Sequence, residues 1–176
     1  DFNMDPLDHW RQNDAPDRMG ITENHFVQGY LDFWDGLLEG DPNLLIDSCA
    51  SGGRRNDLES MRRGVPLWKC DHAITPHAMQ AHVYGLSPWI PYYGNAGGMI
   101  DTYMFRSNMY PAITKGAWED RTPSRDIRED GHDYALLRKL IAEWREVSPH
   151  YFGDFYPLTP FSLSKTKVWM AWQYHT

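Results

Sequence analysis

The sequence predicts an α/β fold: the C-terminal half of a (β/α)8 TIM barrel, followed by the start of an all-β domain. Short apolar runs and amphipathic helical stripes alternate about every 20 to 25 residues, which is typical of stacked βα units. Small or polar residues follow the apolar runs, where parallel sheets carry their functional loops. About five strand ends can be counted, too few for a complete barrel. The predicted division is residues 1–150 for the half-barrel and residues 151–176 for the β domain.

The first elements are a strand end and a long helix. Residues 1–4 are interpreted as the exposed end of a strand, and the polar residues 6–20 as a long loop. Apolar side chains then recur at helical spacing up to Gly40. Thr22 is expected to cap this helix, because its hydroxyl can accept a hydrogen bond from a backbone amide of the first turn.

The middle of the chain carries the most informative pattern. Strands are expected at residues 44–47 and 65–69, on either side of a short helix at residues 56–63. The next helix is expected at residues 75–85, with a proline at its first helical position. Polar residues at the ends of both strands would therefore face the same side of a parallel sheet.

The remaining elements follow the same alternation less regularly. The predictions are a strand at 88–93, weakened by its prolines, a loop at 94–98, a helix at 99–109, a strand at 113–118 and a helix at 132–147. Residues 158–163 and 167–174 are predicted to be strands with no helix between them.

Composition narrows the classes of function. The net charge of −7 argues against nucleic-acid binding, since backbone phosphates favour a basic face. No apolar run reaches the length of a membrane span, so no membrane partner is expected. The 8 Trp and 10 Tyr could form platforms in a sugar-binding cleft, or they could simply fill a core. The chain starts at Asp1 without an initiator Met, and both ends look like cuts through a longer protein, so the compartment is left open.

Four carboxylates lie nearest the expected strand ends: Asp1, Asp47, Asp57 and Asp71. Two carboxylates that flank one sugar ring can hydrolyse a glycosidic bond, one as nucleophile and the other as acid and base. Asp57 is better explained as a cap of the short helix. Asp47 could bind a hydroxyl, and Asp1 and Asp71 fit the catalytic positions best.

Other candidate sites are weaker. Glycines in the segment Cys49 to Gly53 would let a backbone approach a ligand closely, but neither a dinucleotide fingerprint nor a P-loop is present. His77 and His82 are five residues apart and would diverge on a helix, so together with His72 they do not predict a metal site. The two cysteines are expected to be partly accessible free thiols.

Three motifs together resemble glycoside hydrolase family 36, the retaining α-galactosidases. They are DFN at Asp1, CASGGRRND from Cys49, and WKCD ending at Asp71, and they keep the order and spacing of that family. The resemblance implies that Asp1 is the nucleophile and Asp71 the general acid/base. It also implies a loop that holds the 2-hydroxyl of the sugar. The residues expected to bind the sugar are Asn3, Asp47, Cys49, Gly52 and Trp68.

The resemblance has departures and open alternatives. Arg54 replaces the third glycine of the family motif, and Cys70 replaces the serine before the acid/base. The implied activity is removal of terminal α-galactose from a small carbohydrate substrate without a cofactor or metal. An α-N-acetylgalactosaminidase on the same framework and an inactive sugar-binding fragment are the alternatives. Homo-oligomerisation of the full-length protein is left open.

Overall fold

A computed structural model describes residues 4–49, 53–70, 75–97, 101–115, 133–162 and 167–176. These residues combine helices with a few short strands, an α/β-like mixture. The helices are α1 (Leu7–Asn13), α2 (Ile21–Gly40), α3 (Leu58–Met61), α4 (Pro76–Leu86), α5 (Thr102–Ser107), α6 (Tyr134–Val147) and a 3₁₀ helix at Ser148–Phe152. The strands are β1 (Gly94–Gly97), β2 (Ala112–Lys115), β3 (Asp154–Pro157) and β4 (Trp172–His175).

Four chain segments lie side by side in parallel, in the order of the sequence. They are the segment that ends at Asp47, the segment at residues 65–69, β1 and β2. Asp47 forms a parallel bridge with Val65. The amide of Gly94 donates to the carbonyl of Pro66 at 3.0 Å. β1 and β2 are parallel, with Gly94 opposite Ala112. The pairing is parallel, as an α/β fold requires. The strands expected at 44–47 and 65–69 are reduced to that one bridge and its flanking hydrogen bonds.

The prediction was wrong around Gly94. The strand lies at Gly94–Gly97, where a loop was expected, and residues 88–93 are not a strand. A Cβ at Gly94 would lie 2.9 Å from the carbonyl oxygen of Ala112 and 3.0 Å from that of Leu67. The glycine therefore marks a strand that neighbouring backbones approach closely, not a turn.

The prediction of a long loop at residues 6–20 was also wrong, because α1 occupies residues 7–13. Asp5 accepts a hydrogen bond from the amide of Leu7 at 3.2 Å at the start of this helix. The ring of Trp10 packs on Phe26 of α2, with 5.3 Å between ring centroids. This tertiary contact stabilises a short helix whose polar composition favours a loop.

α2 was predicted correctly as a helix, but its cap was not. The helix starts after Gly20, which has a φ of 92°. The carboxylate of Asp14 accepts from the amides of Gly20 at 2.6 Å and Thr22 at 2.9 Å. Asp14 therefore caps the helix in place of Thr22. Hydrogen bonds from Thr22 and Gly20 lower the pKa of Asp14. The sequence does not indicate Asp14 as the cap, because Asp14 lies outside the first turn of α2.

Two further helices agree with the sequence. α4 begins at Pro76 after Thr75, as expected, and ends at Leu86. α6 begins after Asp133, whose side chain accepts from the amide of Leu136 at 2.9 Å. α5 is shorter than predicted. β2 starts one residue before the predicted strand, and residues 116–118 of that prediction lie outside the described residues.

The core lies between α4 and the parallel strands. Its fully buried members are Met79, Val83, Ile90, Tyr93 and Tyr110. The burial of these large side chains is the main favourable contribution to the folding free energy of this region, at roughly 1.5–3 kcal/mol for each one. The indole of Trp144 donates to the carbonyl of Tyr110 at 2.8 Å, which ties α6 to the same core.

β3 and β4 form an antiparallel pair that covers the core on one side. Phe155 and Trp172 pack against Tyr84 of α4. β3 lies just before the segment predicted at 158–163, so that prediction was wrong for the described residues, whereas β4 overlaps the segment predicted at 167–174 from residue 172 to residue 174. The predicted domain boundary at 150/151 stays a prediction. In the part of the chain that the structure describes, no helix has the length and apolar character needed to cross a bilayer.

Candidate functional site

The candidate site is only partly within the described residues. Both expected catalytic residues, Asp1 and Asp71, lie outside them, as do Asn3 and Gly52. The structure describes the other three expected sugar-binding residues, which are Asp47, Cys49 and Trp68. The described part of the site consists of the backbone that carries the motifs and the side chains around them.

The loop after Cys49 is packed against the WKCD segment. Gly53 has a φ of 99°, and a Cβ there would lie 3.6 Å from the carbonyl oxygen of Lys69 and 3.8 Å from the Cβ of Cys70. The side-chain amide of Asn56 donates to the carbonyl of Lys69 at 2.9 Å. Asn56 and Lys69, 13 positions apart in the sequence, thus hold the two motifs together at the end of the parallel segments. The sequence did not reveal the role of Asn56, because an Asn after a glycine turn is usually read as part of the turn.

Asp47 is held by a backbone amide and Cys49 by an arginine side chain. The Oδ1 atom of Asp47 accepts from the amide of Leu67 at 3.1 Å, and the Asp47 side chain is exposed. The carbonyl of Cys49 accepts from the guanidinium of Arg55 at 3.3 Å. These contacts fix the backbone beside the expected hydroxyl-binding loop. Trp68 is half-buried, and its sugar contact stays a prediction.

The cysteine prediction is confirmed: Cys49 and Cys70 are thiols outside any disulfide, and both are half-buried. The Sγ atom of Cys70 lies 3.5 Å from Nε2 of His82. His72 lies outside the described residues. Among the residues that are described, no group of three or more His, Cys, Asp or Glu side chains could hold a metal ion.

Asp57 caps α3, as predicted. Its Oδ1 atom accepts from the amide of Ser60 at 2.9 Å and its Oδ2 atom from the hydroxyl of the same residue at 2.8 Å. α3 is also anchored to α2 through Arg63, which donates to Asp35 at 2.6 and 2.7 Å and to Glu59 at 2.9 Å. Hydrogen bonding to Arg63 lowers the pKa of Asp35. The Arg54–Arg63 segment therefore has a fixed position next to the motifs.

Lys69, inside the WKCD motif, is fully buried, with 0% of its surface exposed. Its Nζ atom lies 3.7 Å from the centroid of the Tyr110 ring and 5.7 Å from that of Tyr93. The same nitrogen donates to the carbonyl of Gly94 at 3.5 Å, a long hydrogen bond. Burial lowers the pKa of Lys69 to about 7. No local sequence pattern indicates this burial, because a lysine at a strand end normally extends into solvent.

A cleft of about 540 Å³ is lined in part by Arg54, Arg55 and Asp57 of the CASGGRRND motif. Its walls come from the segment Met4 to Trp10, from the first half of α2 and from the segment Arg54 to Ser60. The first segment directly follows DFN and the third directly follows Gly53, so the cleft is continuous in sequence with both motif loops.

Among curated proteins, the chain is similar to α-galactosidase Mel36A from Lactobacillus acidophilus. The two are 23% identical over an alignment of 181 positions, which covers 97% of this chain and 24% of the relative. This chain thus spans about a quarter of the relative's length. No protein-family model and no solved structure matches the chain. The chain is therefore similar to a glycosidase, and membership of family 36 stays a prediction.

Proposed function

We propose that this chain forms part of a retaining glycoside hydrolase that removes terminal α-linked galactose from oligosaccharides or glycoconjugates. The observation that carries the proposal is the similarity to an α-galactosidase over 97% of the chain. Because the chain covers 24% of that relative, the activity is proposed for the protein as a whole.

The geometry supports this proposal in two ways. The segments that end at Asp47 and Lys69 run in parallel, and so do β1 and β2, so that their carboxyl ends lie on one side. Functional residues of parallel α/β folds come from that side, and a partial TIM barrel is the architecture that we propose. Gly53 and Asn56 also lie against the carbonyl of Lys69. The end of the expected hydroxyl-binding loop is therefore close to the segment that precedes Asp71 in the sequence.

The proposed mechanism is a double displacement. The carboxylate of Asp1 attacks the anomeric carbon, and the carboxyl proton of Asp71 passes to the leaving oxygen. In the second half, Asp71 takes a proton from water, which attacks the glycosyl-enzyme and releases the sugar with its original configuration. A retaining enzyme needs these two carboxyl groups about 5–5.5 Å apart.

The test compares two leaving groups in an Asp71→Asn variant. Because an activated nitrophenolate needs no proton, the variant should lose far more activity on melibiose, a galactose α-linked to glucose, than on 4-nitrophenyl α-galactoside. Asp32→Asn is the control, since it removes an exposed carboxylate from α2. Equal losses on both substrates would contradict the role of Asp71 as acid.

The alternatives are distinguished by the same assay. Activity on nitrophenyl α-N-acetylgalactosaminide that exceeds the activity on the galactoside would replace the proposed substrate. Sugar binding without turnover of any glycoside would support the inactive sugar-binding alternative.

A further inference from the structure

Cys70 lies in a group of titratable side chains that the proposed mechanism does not use. Its Sγ atom is 3.5 Å from Nε2 of His82, a distance at which a thiol can hydrogen-bond to an imidazole. His82 belongs to α4, and Cys70 directly follows the parallel segment at residues 65–69, so the pair joins two elements of the fold. Both residues are half-buried, which leaves part of the pair in contact with solvent.

The imidazole of His82 can make the Cys70 thiol a better nucleophile. The thiolate is the form that attacks an electrophile, and a neighbouring histidine produces it by accepting the thiol proton. Transfer of the proton from Sγ to Nε2 leaves a thiolate–imidazolium ion pair. Lys69 also interacts with this thiolate: burial lowers the pKa of Lys69 to about 7, and the negative charge of Cys70 acts in the opposite direction. A cationic Lys69 favours the thiolate through the same interaction.

The thiol is also a departure from the motif that the chain resembles. That motif has a serine before the acid/base, where this chain has Cys70. A serine hydroxyl could make the hydrogen bond to His82 equally well, but it does not exchange with disulfides. The cysteine therefore adds thiol chemistry at a position where a hydrogen bond alone needs only a hydroxyl.

From this geometry we infer that Cys70 and His82 form a reactive thiol site that takes small, neutral disulfides. A small reagent is required because Cys70 is half-buried, and the net charge of −7 disfavours anionic reagents. The inference is independent of the proposed function, because it concerns only the reactivity of this side-chain pair.

The reaction is a thiol–disulfide exchange. The Cys70 thiolate attacks one sulfur of the reagent, so that a new S–S bond forms as the old one breaks. The leaving sulfur takes the electron pair of the old bond, and the His82 imidazolium returns the proton. Cys70 is thereby oxidised to a mixed disulfide, and the other half of the reagent is reduced to a thiol. An added thiol reverses the modification by the same exchange.

The test measures how fast each cysteine of the chain reacts with 4,4′-dithiodipyridine, a small neutral disulfide. Absorbance of the released thiopyridone gives the total rate, and peptide mass spectrometry at successive times assigns it to Cys49 or Cys70. Cys49 is the internal reference, because it is half-buried as well. At pH 7 we expect Cys70 to react about tenfold faster than Cys49, and dithiothreitol to remove the modification.

Two histidine variants isolate the effect of the imidazole. In His82→Gln the side-chain amide cannot take the thiol proton, so the Cys70 rate should fall about tenfold while the Cys49 rate stays the same. His77→Gln is the matched control, since His77 is exposed on the same helix, and it should change neither rate.

Several results would overturn the inference. They are a Cys70 rate in the wild type that does not exceed the Cys49 rate, a Cys70 rate that His82→Gln leaves unchanged, and equal losses in the two histidine variants. A Cys70 product that dithiothreitol does not remove would contradict the mixed disulfide. Partial unfolding of His82→Gln would raise the Cys49 rate, and the comparison of the two cysteines in the wild type then decides.

Discussion

Replacing Lys69 by methionine should stabilise the protein at neutral pH. The lysine is fully buried, and the pKa of its amino group falls from 10.5 to about 7 because of that burial. Folding around such a group costs about 4 kcal/mol at pH 7, as estimated from the two pKa values by proton linkage. The contact with Tyr110 offsets up to about 2 kcal/mol of this cost. A methionine of similar length avoids the cost, so we expect a net gain of about 2 kcal/mol.

The pH dependence provides a second check of this prediction. Because the folded-state pKa of Lys69 lies below the unfolded value, the unfolded chain binds more protons between pH 7 and 10.5. The wild-type protein therefore gains stability from this group as the pH rises through that window, whereas the methionine variant does not. Because the Tyr110 contact favours the charged amine in the folded protein, the advantage of the variant should shrink by about 1 kcal/mol between pH 7 and pH 9.

The assay is urea unfolding followed by tryptophan fluorescence at pH 7, 8 and 9. Lys139→Met is the matched control, because Lys139 is exposed on α6 and should show no such pH-dependent difference. A Lys69→Met variant that is less stable than wild type at pH 7, or whose difference from wild type is constant with pH, would refute the reasoning.

Three further predictions concern the elements around the site. Gly94→Ala should cost roughly 1–3 kcal/mol in urea unfolding, because its Cβ would lie 2.9 and 3.0 Å from two backbone oxygens. Gly29→Ala, with nothing within 4 Å, should instead stabilise α2 by up to about 1 kcal/mol, and equal effects of the two changes would contradict this. Asp57→Ala should destabilise by roughly 1 kcal/mol through loss of the α3 cap, so an unchanged urea midpoint would argue against the cap. Asp35→Asn should lower stability at pH 7, and the difference from wild type should vanish in acid, since hydrogen bonding to Arg63 holds the Asp35 pKa below 3.8. A difference that persists when this carboxylate is protonated would exclude the ion pair as its cause.

The helices with strong apolar periodicity could be predicted from the sequence, because local spacing and capping residues determine them. α6 shows this well: its stripe and the Asp133 cap are both visible in the sequence. α1 could not be predicted, since its stability comes from the packing of Trp10 on Phe26, a residue 16 positions away. The strand at Gly94 was missed for a related reason, because the close neighbours that require glycine are remote in sequence.

The candidate site was predictable only as a set of motifs. Order and spacing placed Cys49 and Lys69 at the ends of neighbouring segments, and the described residues bring those segments together. The burial of Lys69 depends on two tyrosines more than 20 residues away, so no local pattern could reveal it. Asp14 and Asn56 were missed likewise, because each bonds to backbone groups that only the fold brings near.

The proposed double displacement requires a covalent bond between Asp1 and the sugar. The most direct measurement incubates the protein with 5-fluoro-α-galactosyl fluoride, whose slow turnover accumulates a glycosyl-enzyme, and maps the modified peptide by mass spectrometry. We predict one fluorogalactosyl group on the peptide that contains Asp1, and none after Asp1→Ala. Labelling of a different carboxylate, or release of the sugar with inverted configuration, would contradict the account.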